Sequence, residues 1–207
     1  MLKLYYAQNT CSLASHIALE DAGAEFSIHR LNIAANEHHA LAYLAINPKA
    51  RVPTLVTPSG ILTETPAMLA YIAQTFPQAE LAPLNDPYAF AKIQEFNSYL
   101  ASTLHVAHAH RMRGNRWADD ENAILAMKKK VPETVSACFA YIESEFLPGQ
   151  FAVGDSYSIA DPYLFTLATW MEGDGVDPSR FPKVYAHREM MRARPTVQKA
   201  LHDQFAD

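Results

Sequence analysis

The sequence predicts a mixed α/β domain followed by a wholly helical domain. Up to about residue 80, short apolar runs of strand length alternate with patterns of helical period, and beyond residue 87 every apolar pattern is helical. Three prolines from Pro77 to Pro87 break both periods, as is typical of a linker. We therefore expect a first domain over residues 1–80, a linker over 81–86 and a helical domain over 87–207.

The elements of the first domain follow from local patterns. In chain order, the predicted elements are a strand over 2–6, a helix over 12–22, strands over 26–33, 52–57 and 61–63, and a helix over 66–76. Gly23 is suited to end the first helix, and Pro66 is suited to begin the second. Pro58-Ser59-Gly60 forms a tight turn, so the strands that flank it are expected to form a hairpin. This order predicts a parallel strand pair with a crossover helix, plus an antiparallel hairpin.

The helical domain shows apolar stripes at helical spacing. The predicted helices cover residues 88–110, 120–146 and 159–171, followed by two short helices near Val184 and Val197. The segment 159–171 is apolar on nearly all faces, which predicts a central buried helix. Ser158 and Asp161 are spaced as a capping box, in which each side chain accepts from the other residue's amide.

Composition excludes several function classes. The formal net charge is −5, and the only basic cluster, Lys128-Lys129-Lys130, is typical of a solvated helix face, so we expect no nucleic-acid partner. No segment has the pattern of a signal peptide or the ~18 apolar residues of a membrane span. Two cysteines are too few for a secreted disulfide scaffold, so we expect a cytoplasmic protein with no membrane partner.

Cys11 lies where the first strand passes into the first helix. Amides at a helix start point outward and carry about half a positive charge, so we expect a thiolate there and a pKa below the free value of about 8.5. The alternative is a small buried core residue. Because residue 14 is Ala14, this motif has no second thiol for a dithiol cycle, but Cys11 alone can form a mixed disulfide or donate a hydrogen bond to an outside thiol. Cys138 falls on an apolar stripe and is expected in the core.

Two dipeptides flank the predicted hairpin. Pro53 lacks an amide, so Val52-Pro53 indicates either an ordinary trans proline at a strand start or a cis bond that leaves the Val52 backbone free for an extended peptide ligand. Thr65 could cap the following helix. Alternatively, Thr65 and the helix-start amides could hold a carboxylate while Glu64 meets an ammonium group, which together would recognise an amino-acid head group.

These pieces, in this order, resemble the glutathione transferase family, and most closely its bacterial beta class. The resemblance rests on four segments: Cys11 to Leu19 as the first helix, Asn47 to Pro53 as the loop before a cis-proline, Leu62 to Thr65 as the turn that binds a γ-glutamyl group, and Ser158 to Phe165 as the capping motif. It spans residues 2 to about 201, so it covers nearly the whole chain.

The resemblance implies a thioredoxin-like first domain, glutathione as co-substrate, and a homodimer. It implies that Cys11 faces the glutathione sulfur, that Val52 and Pro53 anchor its backbone, and that the γ-glutamyl end is held by Glu64 and Thr65. It also implies that Tyr6 lies near the site. Many members carry a basic residue after the second strand for the glycine carboxylate of glutathione. This chain has Ala34-Ala35-Asn36 there, which leaves the partner of that carboxylate open.

His105 matches the histidine that approaches the sulfur from the second domain in this class. Independently, Ser98, Ser102 and His105 lie at i, i+4 and i+7, so on a regular helix they share one face, which could be solvated or could form a wall of the site. We expect the wall. His108 and His110 have no counterpart in the resemblance and are expected on the surface.

The function that these residues indicate is glutathione transfer to a hydrophobic electrophile or a peroxide, with Trp170 in the electrophile pocket and no metal site. Glutathione-disulfide exchange through Cys11 is a second activity of the same site. Two alternatives stay open: a non-catalytic glutathione-binding protein on this fold, and an isomerase of the family's zeta type. The zeta type has Ser-Ser-Cys at the first helix, where this chain has Asn9-Thr10-Cys11.

Overall fold

The computed structural model describes residues 1–205 and contains a four-stranded mixed sheet followed by a helical region. The strands are β1 (Leu2–Tyr6), β2 (Phe26–Arg30), β3 (Thr54–Thr57) and β4 (Gly60–Thr63). Their order across the sheet is β2-β1-β3-β4. β1 pairs in parallel with β2, whereas β3 pairs antiparallel with both β1 and β4. The predicted parallel pair and hairpin are therefore confirmed.

Two strands are shorter than predicted. β2 ends at Arg30; the Leu31 amide still donates to the Tyr6 carbonyl at 2.8 Å, but the chain then turns away from the sheet. β3 begins at Thr54, after the Val52–Pro53 peptide bond. Because proline has no amide to donate to a ladder, the strand pairing starts only beyond it.

The helices lie close to their predicted positions, except for a short helix over 41–44 that was not predicted. They are α1 (Ser12–Asp21), α2 (Leu41–Leu44), α3 (Thr65–Thr75), α4 (Pro87–Tyr99), α5 (His105–Arg113), α6 (Glu121–Glu145), α7 (Ala160–Ala168), α8 (Pro182–Arg192) and α9 (Pro195–Phe205). The segment 88–110, predicted as one regular helix, is instead interrupted between α4 and α5 by a π-helical segment, Leu100–Leu104. Within residues 1–205, no helix is both long enough and apolar enough to traverse a bilayer.

Helix α1 is buried on both sides, and this positions the residues at its start. Its residues 12–19 are all buried. Ala14 and Ala18 belong to the main core, while Leu13 and Ile17 pack in a second cluster with Phe165 of α7 and with residues of α8 and α9. A helix held between the sheet and the helical region cannot tilt freely, so the position of its first turn is well defined.

The predicted capping box before α7 is present in a modified form. The Asp161 carboxylate accepts from the Ser158 amide at 2.7 Å, as predicted, but the Ser158 hydroxyl accepts from the Ala160 amide rather than from that of Asp161. The same carboxylate, which is fully buried, also accepts from the Ala152 amide at 2.8 Å and contacts His187 Nε2 at 2.9 Å. Asp161 therefore joins three segments around the start of α7.

The remaining structural predictions concern exposure. Cys138 is buried in the main core, as its position on an apolar stripe predicted. Lys128, Lys129 and Lys130 are all exposed on α6, in agreement with a solvated helix face. His108 and His110, both predicted on the surface, are half-buried, and the surroundings of His108 belong to the site described next.

Candidate active site

The Cys11 thiol lies against the loop that precedes β3. Cys11 stands immediately before α1 and is only 8% exposed. Its Sγ donates to the carbonyl oxygen of Val52 at 3.6 Å, and the Val52–Pro53 peptide bond is cis. The cis-proline that the resemblance implied is confirmed. The start of the first helix and the backbone before Pro53 are thus separated by the length of one sulfur hydrogen bond.

The expected fall in the pKa of Cys11 is wrong. Burial raises the pKa of the thiol above its usual value, and this effect exceeds the lowering by the Thr65 side chain, by the Arg113 guanidinium and by the cysteine's own amide. The helix-start amides are also already engaged, because the Leu13 amide donates to the Thr10 carbonyl oxygen. Cys11 is therefore a neutral thiol. The same surrounding groups would favour the thiolate form of another sulfur that is less buried than that of Cys11.

Glu64 and Thr65 occupy the turn between β4 and α3. Glu64 has φ +70°, which few residues other than glycine adopt, and its Oε1 lies 2.6 Å from Lys49 Nζ. Thr65 is the first residue of α3 and is buried. The capping role considered for Thr65 is wrong, because Glu64 is the N-cap residue and no side chain caps this helix. Thr65 instead faces the Cys11 thiol closely enough to lower its pKa.

The rings of His105 and Trp170 are in contact, as expected of two residues that line the same site. Their ring centroids are 5.3 Å apart, and Trp170 follows the end of α7. Burial, with smaller contributions from His108 and Arg113, lowers the pKa of His105 to about 4, so the ring is neutral at pH 7. Within residues 1–205, no hydrogen bond joins His105 to Cys11. The positive charge of Arg113 lowers the pKa of both Cys11 and His105.

Ser98 and Ser102 do not share a face with His105. A π-helical segment inserts one residue into the helix, so the i, i+4, i+7 spacing no longer brings these three side chains into line. Both serines are exposed, and the Ser102 hydroxyl donates to the Ser98 carbonyl at 2.8 Å. The prediction that one regular helical face carries all three residues is therefore wrong, and its physical reason is the change of helical period.

Tyr6 is directed toward the end of the chain rather than toward Cys11. Its hydroxyl donates to the Asp203 carbonyl at 3.4 Å, and its ring lies 6.3 Å from that of His16. Burial raises its pKa, so the phenol stays protonated. These contacts tie β1 to α9, and within the described residues no hydrogen bond joins the Tyr6 hydroxyl to Cys11.

Two contacts of the site could not be predicted from the sequence. Lys49 pairs with Glu64, although 15 residues separate them in the chain. His108 pairs with Asp174, which lies 66 residues further on, and its ring stacks on Trp170 at 4.2 Å. The i, i+3 spacing of His105 and His108 could have suggested that the two rings are neighbours, but nothing in the sequence links either Lys49 or His108 to its partner.

One cluster of the described residues has atoms of the kind that bind metals. His16, Glu20 and Asp203 bring such atoms within 4.8 Å of one another. The Lys199 ammonium lies 2.6 Å from the Glu20 carboxylate and 2.8 Å from that of Asp203. Lysine thus already supplies the positive charge that these carboxylates need.

Comparison with known proteins agrees with this architecture. Residues 1–74 match the model of the glutathione S-transferase N-terminal domain, and residues 99–195 match that of the C-terminal domain. The chain is 30% identical over 203 residues to glutathione S-transferase GstA of Escherichia coli O157:H7, with 97% of each chain covered.

Solved structures are similar over almost the whole chain. A glutathione transferase homolog from Sulfitobacter, determined with bound glutathione, is 44% identical with a TM-score of 0.95, and 98% of each chain is covered. A bacterial beta class glutathione S-transferase from Sphingomonas chungbukensis is 31% identical with a TM-score of 0.86, covering 99% of this chain and 100% of the other. The fold, the cis-proline beside Cys11 and these similarities establish that the chain belongs to the glutathione S-transferase family.

Proposed function

We propose that this protein is a glutathione transferase, which activates the thiol of glutathione for attack on a hydrophobic electrophile or a peroxide. The observation that carries the proposal is the 3.6 Å contact between Cys11 Sγ and the Val52 carbonyl oxygen. It brings a thiol donor next to a backbone position where an extended peptide could pair. Glutathione, a peptide with a central thiol, needs both of these groups.

The turn at Glu64 supports binding of the γ-glutamyl end. The Glu64 carboxylate already accepts an ammonium group, that of Lys49, at 2.6 Å. The γ-glutamyl end of glutathione carries such an ammonium beside a carboxylate. In our proposal this ammonium takes the place of Lys49, while Thr65 and the first amides of α3 receive the carboxylate.

Activation of the sulfur follows from the charges around Cys11. Thr65, Arg113 and the Cys11 amide each favour negative charge there, although burial keeps Cys11 itself neutral. In our proposal the Cys11 thiol donates a hydrogen bond to the glutathione sulfur, which loses its proton to solvent and is held as a thiolate. Neutral His105 approaches the glutathione sulfur from the helical domain, and Trp170 lines the pocket that holds the electrophile.

The test compares two activities in the wild type, in Cys11→Ala and in the matched control Cys138→Ala. We expect Cys11→Ala to abolish exchange with a glutathione disulfide and to lower kcat/KM for a chlorodinitrobenzene by about tenfold or more. The control, a second buried cysteine, should retain both activities. Loss of exchange with full conjugation would assign Cys11 to exchange alone, and retention of both would contradict its role.

A second candidate is a glutathione-binding protein without turnover. The observation in its favour is the raised pKa of the buried Cys11 thiol, which makes this cysteine a poor nucleophile. Calorimetry with glutathione, combined with assays of a halogenated aromatic, an unsaturated aldehyde and a peroxide, separates the two. Tight binding with no turnover of the three electrophiles would favour the second candidate.

The proposal includes a cytoplasmic homodimer. Both cysteines are free, which is compatible with a reducing compartment, and the family resemblance implies two-fold assembly. Sedimentation equilibrium should give twice the chain mass of 23.0 kDa. A monomer at micromolar concentration would contradict this part of the proposal.

A further inference from the structure

His108 is held by a buried carboxylate at the wall of the candidate site. Its Nδ1 lies 2.8 Å from both oxygens of Asp174, whose side chain is only 2% exposed. Arg111 Nε approaches the same carboxylate at 3.4 Å and offsets its charge. Because an ionised carboxylate can only accept, Nδ1 of His108 must carry the proton. The other ring nitrogen, Nε2, is then the one that can exchange protons with a ligand.

The His108 ring lies beside the proposed electrophile pocket, so the ligand that could exchange protons with Nε2 is the second substrate. The His108 ring stacks on Trp170 at 4.2 Å and 27°, and the same indole contacts His105 at 5.3 Å. The ring is 15% exposed, and Nε2 has no hydrogen-bond partner within residues 1–205. An unpartnered ring nitrogen at a partly open surface, beside the indole that bounds the electrophile, is available to a molecule bound there.

A histidine whose Nδ1 proton is fixed by a carboxylate is the usual arrangement for proton transfer at Nε2. Asp174 already has Arg111 as a charged neighbour, so it does not depend on His108 for neutralisation. The pair is therefore better explained by chemistry at Nε2 than by stability alone.

We propose that His108 is a catalytic proton donor, positioned by Asp174, and that the second substrate is an electrophile that takes up a proton, such as an α,β-unsaturated carbonyl compound. This inference rests on the proposed function. The glutathione thiolate forms a carbon–sulfur bond at the β-carbon, and the π electrons move to the carbonyl oxygen as an enolate. The protonated His108 ring gives this enolate the proton from Nε2. Solvent then reprotonates the ring with the equivalent of the proton lost by the thiol.

Displacement on a chlorodinitrobenzene provides the contrast. There the carbon–chlorine bond breaks and chloride leaves with its electron pair, so no proton is delivered to the product. A proton donor should therefore matter for an unsaturated aldehyde much more than for the aromatic halide. The ratio of the two activities isolates the role of His108 from any general loss of structure.

The experiment measures kcat/KM for nonenal and for a chlorodinitrobenzene in the wild type, His108→Gln and Asp174→Asn. We expect the nonenal-to-aromatic ratio to fall about 30-fold or more in His108→Gln, and to fall in the same direction in Asp174→Asn. His110→Gln, the same substitution two residues further along α5, is the matched control and should keep the wild-type ratio. Free imidazole should restore part of the nonenal rate to His108→Ala, which a merely structural role would not allow.

A ratio within about twofold of wild type in His108→Gln, or an equal fall in both activities, would overturn the inference. These outcomes differ from failure of the proposed function, in which the wild type itself would conjugate neither electrophile.

Discussion

At the scale of single residues, Cys11 shows which of two opposing effects determines the state of a thiol. A helix start offers about half a positive charge, and Arg113 adds a full charge at longer range. Both favour the thiolate, but Cys11 is only 8% exposed, and loss of hydration disfavours the charged form more strongly. The residue is therefore suited to donate a hydrogen bond to another sulfur, and it can attack a disulfide only through its small thiolate fraction.

The raised pKa of Cys11 predicts slow alkylation. Because less thiolate is present at any given pH, the rate with iodoacetamide should stay below that of free glutathione at pH 7.5 and should continue to rise above the pH at which glutathione levels off. Mass spectrometry of the Cys138→Ala variant, in which Cys11 is the only cysteine, measures this rate. Alkylation faster than that of glutathione at neutral pH would contradict the prediction.

The Lys49–Glu64 pair predicts unequal effects of its two members on glutathione binding. The side chains are 48% and 61% exposed, so solvent screens the pair and it contributes about 1 kcal/mol at most. We expect Lys49→Gln to change the Kd for glutathione less than about fivefold. Glu64→Gln, which removes the acceptor of the γ-glutamyl ammonium, should raise it about tenfold or more. Calorimetry compares both variants with the wild type, and equal effects would argue against this role of Glu64.

At the scale of elements, the start of α7 shows how one side chain can stabilise a buried helix end. The first amides of a helix lack internal partners, and at a fully buried site water cannot supply them. Asp161 accepts from the amides of Ser158 and Ala152, which belong to different segments, and also contacts His187 of α8. The local capping pattern thus has a tertiary function that its spacing does not reveal.

Substitutions at this cap should have graded costs. Asp161→Ala leaves several buried donors without an acceptor, so we expect a loss of about 3–5 kcal/mol in the free energy of unfolding. Ser158→Ala removes only one hydroxyl acceptor and should cost about 1 kcal/mol. Urea denaturation followed by circular dichroism measures both variants. A similar cost for the two would show that the wider network around Asp161 adds nothing.

At the scale of the whole molecule, burial of neutral histidines links stability to pH. His16 is fully buried between β1, β2 and α9, and burial lowers its pKa from 6.5 to about 4. The unfolded chain therefore binds a proton more readily than the folded chain. Burial also lowers the pKa of His105, so this residue changes the stability with pH in the same direction. The stability that these rings contribute is complete above pH 6.5 and is lost as the pH falls toward 4.

The effect of His16 can be isolated by a double comparison. Between pH 7 and pH 5, proton uptake by His16 in the unfolded chain should lower the free energy of unfolding by about 2 kcal/mol. His16→Gln cannot take up this proton, so its free energy of unfolding should fall by about 2 kcal/mol less than that of the wild type over this interval. Lys129→Gln, on the exposed face of α6, is the control and should follow the wild type. Parallel pH curves for His16→Gln and the wild type would contradict the linkage.

Features that depend on residues close together in the chain were predictable, whereas contacts between distant residues were not. The parallel strand pair, the hairpin and most helix positions were predictable, because each depends on neighbours along the chain. The π-helical segment before His105 was not, since no local signal marks the inserted residue, and the alignment of Ser98 and Ser102 with His105 failed for that reason. The His108–Asp174 pair joins α5 to the turn that follows α7, and the core sets their relative placement.

By itself, the sequence determined an α/β half followed by a helical half, a cysteine at the first helix start, and motifs that resemble those of glutathione transferases. Backbone propensity and short-range patterning are sufficient for the first two features, and the local residue motifs carry the resemblance. Only the tertiary structure decided that Cys11 is a neutral thiol and that Lys49 pairs with Glu64. It also decided that the His108 ring stacks on Trp170 and pairs with Asp174. Burial and the meeting of distant side chains control these properties, and both arise only when the sheet and the helices pack together.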